Sequence, residues 1–492
     1  MGNTILKQLE KREEEIREEI LKHDFFKIRR EKAIKFLISR LETSIMISNG
    51  NLFSLPQSPN DDLLMSGHKL VEVIQTSIPF IFYNLHEKHQ VDNLQIDVVD
   101  LIKLIQQVCD YLEFKKMIRL YKMQIVRVIF NDQVIRFEYK DDVFRINDIY
   151  NGYWHSKEQN VVLEDAESLE DITEKIFDLT VDINIGQFSM EDYKLFCKGI
   201  DFFILTEYIN PVMIVNDIGY IELEKNKWIN QLSYFITDLS SEKIKSIVEF
   251  LTYNFEDING DPLLSYFIPT NGKLLLSISM FSSQRLDKNL LRLLLQKNEA
   301  HFQNEQKKLE KHQINELRLQ KSSMYDFDTD KDGSPGEDLI VYDKKANIVH
   351  VIELKFKLPV DSIKELRSLK RMLAKASTQN EKAKKAITLD NIFEKYFNGK
   401  YEGKKPKEIL YFTLTNYSVY YDSNCRILLT QHYAELLKSD NCSERLKKIF
   451  NDPFRGINMK PNVKFEKINL FGNVIKIPLN YSETPYLQEL KY

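Results

Sequence analysis

The sequence predicts an α/β C-terminal domain, a mixed central sheet flanked by helices, behind a larger N-terminal region that is part helical and part α+β. Three observations predict it. Two β-rich runs, Ser334 to Asp343 and Val349 to Lys357, stand either side of a polar turn at Lys344 to Asn347. An amphipathic stripe follows at Leu366, Leu369, Leu373, Ala376, Asn380, Ala383 and Ile387, with three- and four-residue steps. A further β-rich run covers Glu408 to Thr415. Strand, turn, strand, helix, strand is the order of an antiparallel hairpin extended by a βαβ crossover, which yields a mixed sheet.

The hairpin carries the chemistry. Alternation of β-branched or aromatic residues with polar ones gives a period of two. Centring the hairpin on the turn pairs Tyr342 with Val349, and the same register sets Asp338 opposite Glu353. Opposed residues share a face of the sheet, and Lys355, two residues beyond Glu353, lies on it too. Ile352, Leu354 and Phe356 point to the other face. Two carboxylates at cross-strand distance repel unless a cation or proton lies between them. A hard divalent ion, Mg2+ with Mn2+ as a possible substitute, is the occupant expected of oxygen ligands. Such an ion polarises a phosphodiester and acidifies a bound water, and Lys355 is placed to orient that water and offset developing charge. The simpler alternative is an ordinary hairpin with a surface ion pair between Glu353 and a lysine.

Asp338, fourteen intervening residues, then Glu353-Leu-Lys355, with Gly336-Glu-Asp-Leu-Ile-Val opening the first strand, resembles the PD-(D/E)xK phosphodiesterase superfamily, the restriction-endonuclease-like nucleases. The proline of the family's signature is displaced here to Pro335. The resemblance implies a restriction-endonuclease-like fold for residues 288–492 and a metal-dependent endonuclease acting on DNA, set in prokaryotic restriction or anti-phage defence and working as a dimer or higher oligomer. It implies catalytic roles for Asp338, Glu353 and Lys355, with Asp338 and Glu353 as metal ligands. Members also carry an acid on a helix ahead of the hairpin, which nominates Glu299, with Glu310 as the fallback. A glutamine or lysine is common on the helix that follows, which nominates Gln379 as a supporting active-site residue. The same helix repeats Arg371, Lys375 and Lys382 on another side, a basic edge for a nucleic-acid backbone.

Between Lys355 and Lys407 basic residues outnumber acidic ones by more than two to one, although the 492-residue chain has a net charge of −4. A basic bias confined to one region points to local contact with nucleic acid, expected to be double-stranded DNA. RNA or branched DNA as substrate, and a nuclease fold retained only for binding or assembly, are the alternatives.

The remaining residues bound the architecture. A chain of this length with 43% apolar residues is sized for about three domains with packed cores. The divisions read from the sequence are 1–48, a long amphipathic helix packed on its own chain or in a coiled coil; 49–150, a helical domain ending in a hairpin; 151–287, a mixed α+β accessory domain; and 288–492. The accessory segments are expected to regulate, select substrate or oligomerise, through an activating partner or ligand. Four cysteines without CxxC spacing, no signal core and no long apolar run lead to an expectation of a cytoplasmic protein without a membrane partner. Asp328 to Gly333 begins like a calcium loop but has Leu339 where a bidentate glutamate is required, so it reads as an acidic solvated loop, with Asp326 or Asp328 near the metal. His86 and His89 lack metal-site partners, and His301 and His350 flank the site without an assigned role. No phosphate-binding or dinucleotide-binding glycine loop is present in the sequence.

Overall fold

Charged, helix-forming residues fill the first 48 positions, and they form two helices rather than one: α1 (Gly2–Leu21) and α2 (Arg30–Ser48). The break is a 3-10 turn at Asp24–Lys27, started by His23, whose Nδ1 accepts the Phe25 N–H. Phe25 and Phe26 are buried there, so the turn is held by packing as well as by its cap. Leu9, Ile16 and Ile20 of the α1 stripe are buried within the chain itself, the intrachain packing that a coiled coil with a second protomer would not provide. This computed structural model describes residues 2–48, 67–86, 97–131, 134–140, 181–207, 219–257, 260–278, 281, 286–319, 323–329, 336–358, 363–416, 426–451 and 465–478. Pro335, His89 and the β-rich run at 418–422 lie outside the described residues.

Two helices follow, α3 (Gly67–Asn84) and α4 (Val98–Lys122), then the hairpin β1 (Val126–Asn131) and β2 (Val134–Tyr139), paired antiparallel. Beyond α5 (Met190–Glu207), β3 (Tyr220–Glu224), α6 (Lys225–Phe235) and α7 (Ser241–Phe250) come β4 (Phe267–Thr270) and β5 (Lys273–Ser277). These three strands form an antiparallel sheet in the order β3-β5-β4. Asn271 and Gly272 link β4 to β5 with positive φ at both, the backbone a two-residue hairpin turn demands. Next come α8 (Leu286–Lys297) and α9 (Glu299–Leu319). The chain divides into two compact units. One comprises Met1–Ile118, Asp165–Glu305 and Ile468–Ile475; the other comprises Arg119–Glu164, Gln306–Lys467 and Lys476–Tyr492.

The second unit is built on β6 (Tyr325–Asp328), β7 (Leu339–Asp343), β8 (Ile348–Lys355), α10 (Ile363–Ala386), the short α11 (Ile392–Lys395), β9 (Glu408–Thr415), β10 (Ile427–Leu429), α12 (Thr430–Leu437) and α13 (Cys442–Asn451). The five strands run in the order β10-β9-β8-β7-β6. β6, β7 and β8 are antiparallel neighbours, whereas β8, β9 and β10 are parallel, so the sheet is mixed as expected. Tyr342 pairs with Val349 in the predicted register. The turn between them is closed by Asn347 at φ 56°, by Tyr342 Oη donating to Asn347 Oδ1, and by Ala346 N–H donating to Asp343 Oδ1.

Both faces of this sheet are covered, which explains why β7 and β8 read as nearly continuous apolar runs. On one face Leu339, Val341, Ile352, Leu354, Phe412 and Leu414 pack with Tyr433, Leu437 and Leu446 of α12 and α13. On the other, Ile340, Tyr342, Val349 and Val351 meet Ala383 and Ile387 at the end of α10, together with Phe393, Tyr396 and Tyr401. Each large buried side chain contributes roughly 1.5–3 kcal/mol through area removed from water. Leu369, Leu373, Ala376, Ala383 and Ile387 of the predicted α10 stripe are buried.

One expectation is corrected. Asp326 and Asp328 do not belong to a solvated loop: they lie on β6, where Asp326 pairs with Tyr342 and Asp328 with Ile340. Asp326 is bound by Lys344, Lys400 and Tyr401, and Asp328 Oδ2 accepts the Phe397 N–H at 2.6 Å. Both carboxylates therefore tie the β6 edge to the segment after α11. Burial pushes the Asp326 carboxyl up, but those three donors outweigh it and hold it down at about 2. Among the described residues no helix is long and apolar enough to cross a membrane.

Candidate active site

The β7–β8 ladder ends where Leu339 pairs with Ile352, and Asp338 and Glu353 are the residues immediately beyond that last pair, close enough for the Asp338 charge to act on Glu353. Asp338 is fixed there by its Oδ2, which accepts the Leu354 N–H at 2.8 Å. Glu353 is 1% exposed, and its Oε1 binds the Lys355 ammonium. The three residues expected to act together are thus gathered at one end of the sheet, on the face that α10 covers. Glycine is required in the loop leading to Asp338. Gly336 has φ 92°, and a Cβ there would lie 2.6 Å from the Gln379 carbonyl oxygen and 2.9 Å from the Ala383 methyl. The loop is consequently pressed against α10.

Electrostatically the pair of acids is unbalanced. Glu353 Oε2 is buried without a hydrogen-bond partner. Burial, and then the neighbouring Asp338 charge, push the Glu353 carboxyl up to about 7, against the opposing pull of Lys355 and the Gly336 N–H. A buried carboxylate oxygen without a donor costs free energy that a proton or a cation recovers.

The helices supply the remaining candidates unequally. Of the two acids nominated on α9, Glu310 reaches the end of β8: its Oε1 lies 3.4 Å from the Phe356 N–H donor and accepts from Gln306, which itself donates to the Phe356 carbonyl. Glu299 is exposed in the first turn of α9, bonded by Gln303, eleven residues and about 16 Å of helix away from Glu310. Of the two, Glu310 is thus the one that reaches the end of β8. Gln379 stands over the Gly336 loop, and its Oε1 is buried without a partner. Arg371, Lys375 and Lys382 are exposed along α10.

The basic stretch is not gathered at one place. Lys400 binds Asp326, and Lys407 N–H donates to the carbonyl of turn residue Asn347, at the end of the sheet opposite Lys355. Lys400 and Lys407 thus secure the far end of the sheet, whereas Lys395 pairs with Glu337, the residue before Asp338.

His350 has a structural role. It is fully buried on the α12 and α13 face, with Nδ1 2.8 Å from Tyr433 Oη and Nε2 2.9 Å from Ser443 Oγ. Ser443 donates its one proton to Asp343 Oδ2, so Nε2 must carry the imidazole proton and Tyr433 must donate to Nδ1. Burial lowers the His350 pKa to about 4 despite the attraction of Asp343. His301 Nε2 contacts the Asn184 carbonyl, both residues belonging to the first unit.

Asn380, the polar position of the α10 stripe, bonds the strand next to Glu353. Asn380 Nδ2 donates to Thr413 Oγ1 at 2.9 Å, and Thr413 is the parallel register partner of Glu353. The signal was present in the stripe itself, where a lone asparagine among buried apolar positions demands a polar partner.

Among the described residues no group of three or more His, Cys, Asp or Glu is gathered to hold a metal ion. The donor set at the sheet end is two carboxylates. Mg2+ needs no more than that, since it is commonly bound by one or two carboxylates with water and substrate phosphate completing its shell. The unpartnered Glu353 Oε2 fits such an ion. Comparison with protein-family models, with curated proteins and with solved structures finds no match to this chain.

Proposed function

We propose that the second unit is a restriction-endonuclease-like, metal-dependent nuclease that hydrolyses phosphodiester bonds of DNA. The observation that carries the reading is the Asp338 charge beside Glu353, with Lys355 on Glu353 Oε1 and Oε2 buried without a partner. Asp338 and Glu353 are the residues that would hold Mg2+, with Glu310 at the end of β8 as the further acid. The ion, when bound, polarises the phosphodiester and acidifies a water. Lys355, restrained by Glu353, presents its other N–H groups to the attacking water and to the charge that develops on phosphorus. Gln379 supports the site from α10, and Arg371, Lys375 and Lys382 bind the nucleic-acid backbone. The first unit restrains or directs cleavage, in keeping with a role in anti-phage defence or restriction, and oligomerisation brings two sites to the two strands.

The test is incubation of the full chain with Mg2+ or Mn2+ on linear duplex, single-stranded and branched DNA and on RNA. Cleavage of duplex DNA that falls by about 10²–10⁴ in Lys355→Ala supports the reading. Cleavage confined to RNA or branched DNA reassigns the substrate, and equal cleavage by Asp338→Ala and wild type removes the assignment.

A further inference from the structure

The last two described strands, β11 (Phe465–Leu470) and β12 (Asn473–Pro478), join the β1–β2 hairpin in a further sheet of the order β1-β2-β12-β11. Strand alternation divides its residues between two faces. Ile135, Phe137 and Ile477 are buried and mark the core face. The opposite face is cationic. On it β1 and β2 set Arg127 against Glu138 and Ile129 against Arg136. The Arg136 guanidinium lies 4.2 Å from the centre of the Phe465 ring, which brings Phe465 and, two residues on, Lys467 to the same face. Lys476 precedes buried Ile477 and so points away from the core. Four cations share this face with one carboxylate, Glu138, and all five charged residues belong to the second unit.

That one carboxylate arranges the cations without cancelling them. Arg127 Nη2 lies 2.6 Å from Glu138 Oε2, and Arg136 Nη2 lies 2.7 Å from Glu138 Oε1. The Arg127 and Arg136 side chains nevertheless stay 66% and 43% exposed, and Lys467 is exposed as well. A guanidinium already held in place loses less freedom on binding and keeps further N–H groups for phosphate oxygens.

We propose that this face binds the phosphate backbone of a nucleic acid, as a contact surface additional to α10. The inference rests on the nuclease reading for the identity of the polyanion. An anionic membrane is the weaker match, because interfacial binding draws on aromatic side chains that enter the lipid, and the one aromatic ring of this face is covered by Arg136. Contacts to phosphate carry no sequence information, so the surface adds affinity without selecting a site.

The experiment measures binding of the full chain to a labelled DNA duplex in the presence of chelator, over a series of salt concentrations. Each cation that neutralises a phosphate contributes about 0.9 to the slope of log affinity against log salt. The proposal predicts that Arg127→Ala, Lys467→Ala and Lys476→Ala each flatten the slope by about 0.9, and that the triple variant weakens binding to duplexes of unrelated sequence alike. Lys11→Ala, which removes an exposed cation of α1, should leave the slope unchanged. A wild-type slope in the triple variant overturns the surface, and Mg2+-dependent cleavage by that variant leaves the nuclease reading standing. Absence of duplex binding by wild type at low salt likewise overturns the surface, while cleavage in Mg2+ judges the nuclease reading separately. Loss of binding to phosphatidylserine vesicles in the triple variant, with duplex binding intact, assigns the face to a membrane and overturns the proposal. Should the triple variant fail to fold by circular dichroism, the single variants decide: wild-type slopes in all three overturn the surface.

Discussion

Asp338, one residue beyond the end of the β7–β8 ladder, accepts the Leu354 N–H and sets its charge beside Glu353, which keeps one oxygen buried and unpartnered. Burial and the Asp338 charge disfavour the ionised Glu353, a cost that the proposed cation would offset. The stability of the second unit should therefore depend on divalent ions.

Adding Mg2+ to metal-stripped protein is expected to raise the thermal unfolding midpoint. Binding to the folded state alone stabilises by about 2.7 kcal/mol when the ion is at a hundred times its dissociation constant. Differential scanning calorimetry with and without chelator measures it, and the increment should vanish in Asp338→Asn.

Gly336→Ala is expected to destabilise the second unit by about 1–3 kcal/mol, because alanine at a positive φ is strained and its methyl meets the Gln379 carbonyl. Cleavage should fall as well, since the displaced loop carries Asp338. Denaturant titration together with a cleavage assay checks both effects.

His350 predicts an acid limit to stability. The unfolded imidazole protonates below about pH 6.5, but the folded one resists until about 4. Within that window the unfolded state binds more protons, so stability falls as pH falls. The full loss is on the order of 3 kcal/mol. Replacing His350 with glutamine should flatten the dependence of stability on pH between 6.5 and 4 by one proton, read from denaturant midpoints across that range.

The hairpin register was legible because a four-residue polar turn between two β-rich runs leaves one pairing, which sets Tyr342 against Val349 and keeps Ile352 and Leu354 in the core. The parallel β9 was legible for a similar reason, as a helix-length stripe separated it from β8. β6 was not. Its Tyr-Asp-Phe-Asp sequence is acidic because its partners, Lys344, Lys400 and Tyr401, are brought in by the fold, and sequence distance hides them. The helix acid was ambiguous on the same grounds: periodicity shows that α9 is a helix without showing which turn meets β8, and the turn that does so carries Glu310. Asn380 was legible only as an interruption. Its meaning appeared when Thr413 was seen beside Glu353.

The central claim, that Asp338, Glu353 and Lys355 cut a phosphodiester together, is tested most directly by measuring Mg2+-dependent cleavage of duplex DNA by the full chain beside its Asp338→Ala and Lys355→Ala variants. The account predicts cleavage by wild type that chelation abolishes and that both substitutions reduce by at least about 10². Cleavage by either variant at the wild-type rate would contradict it.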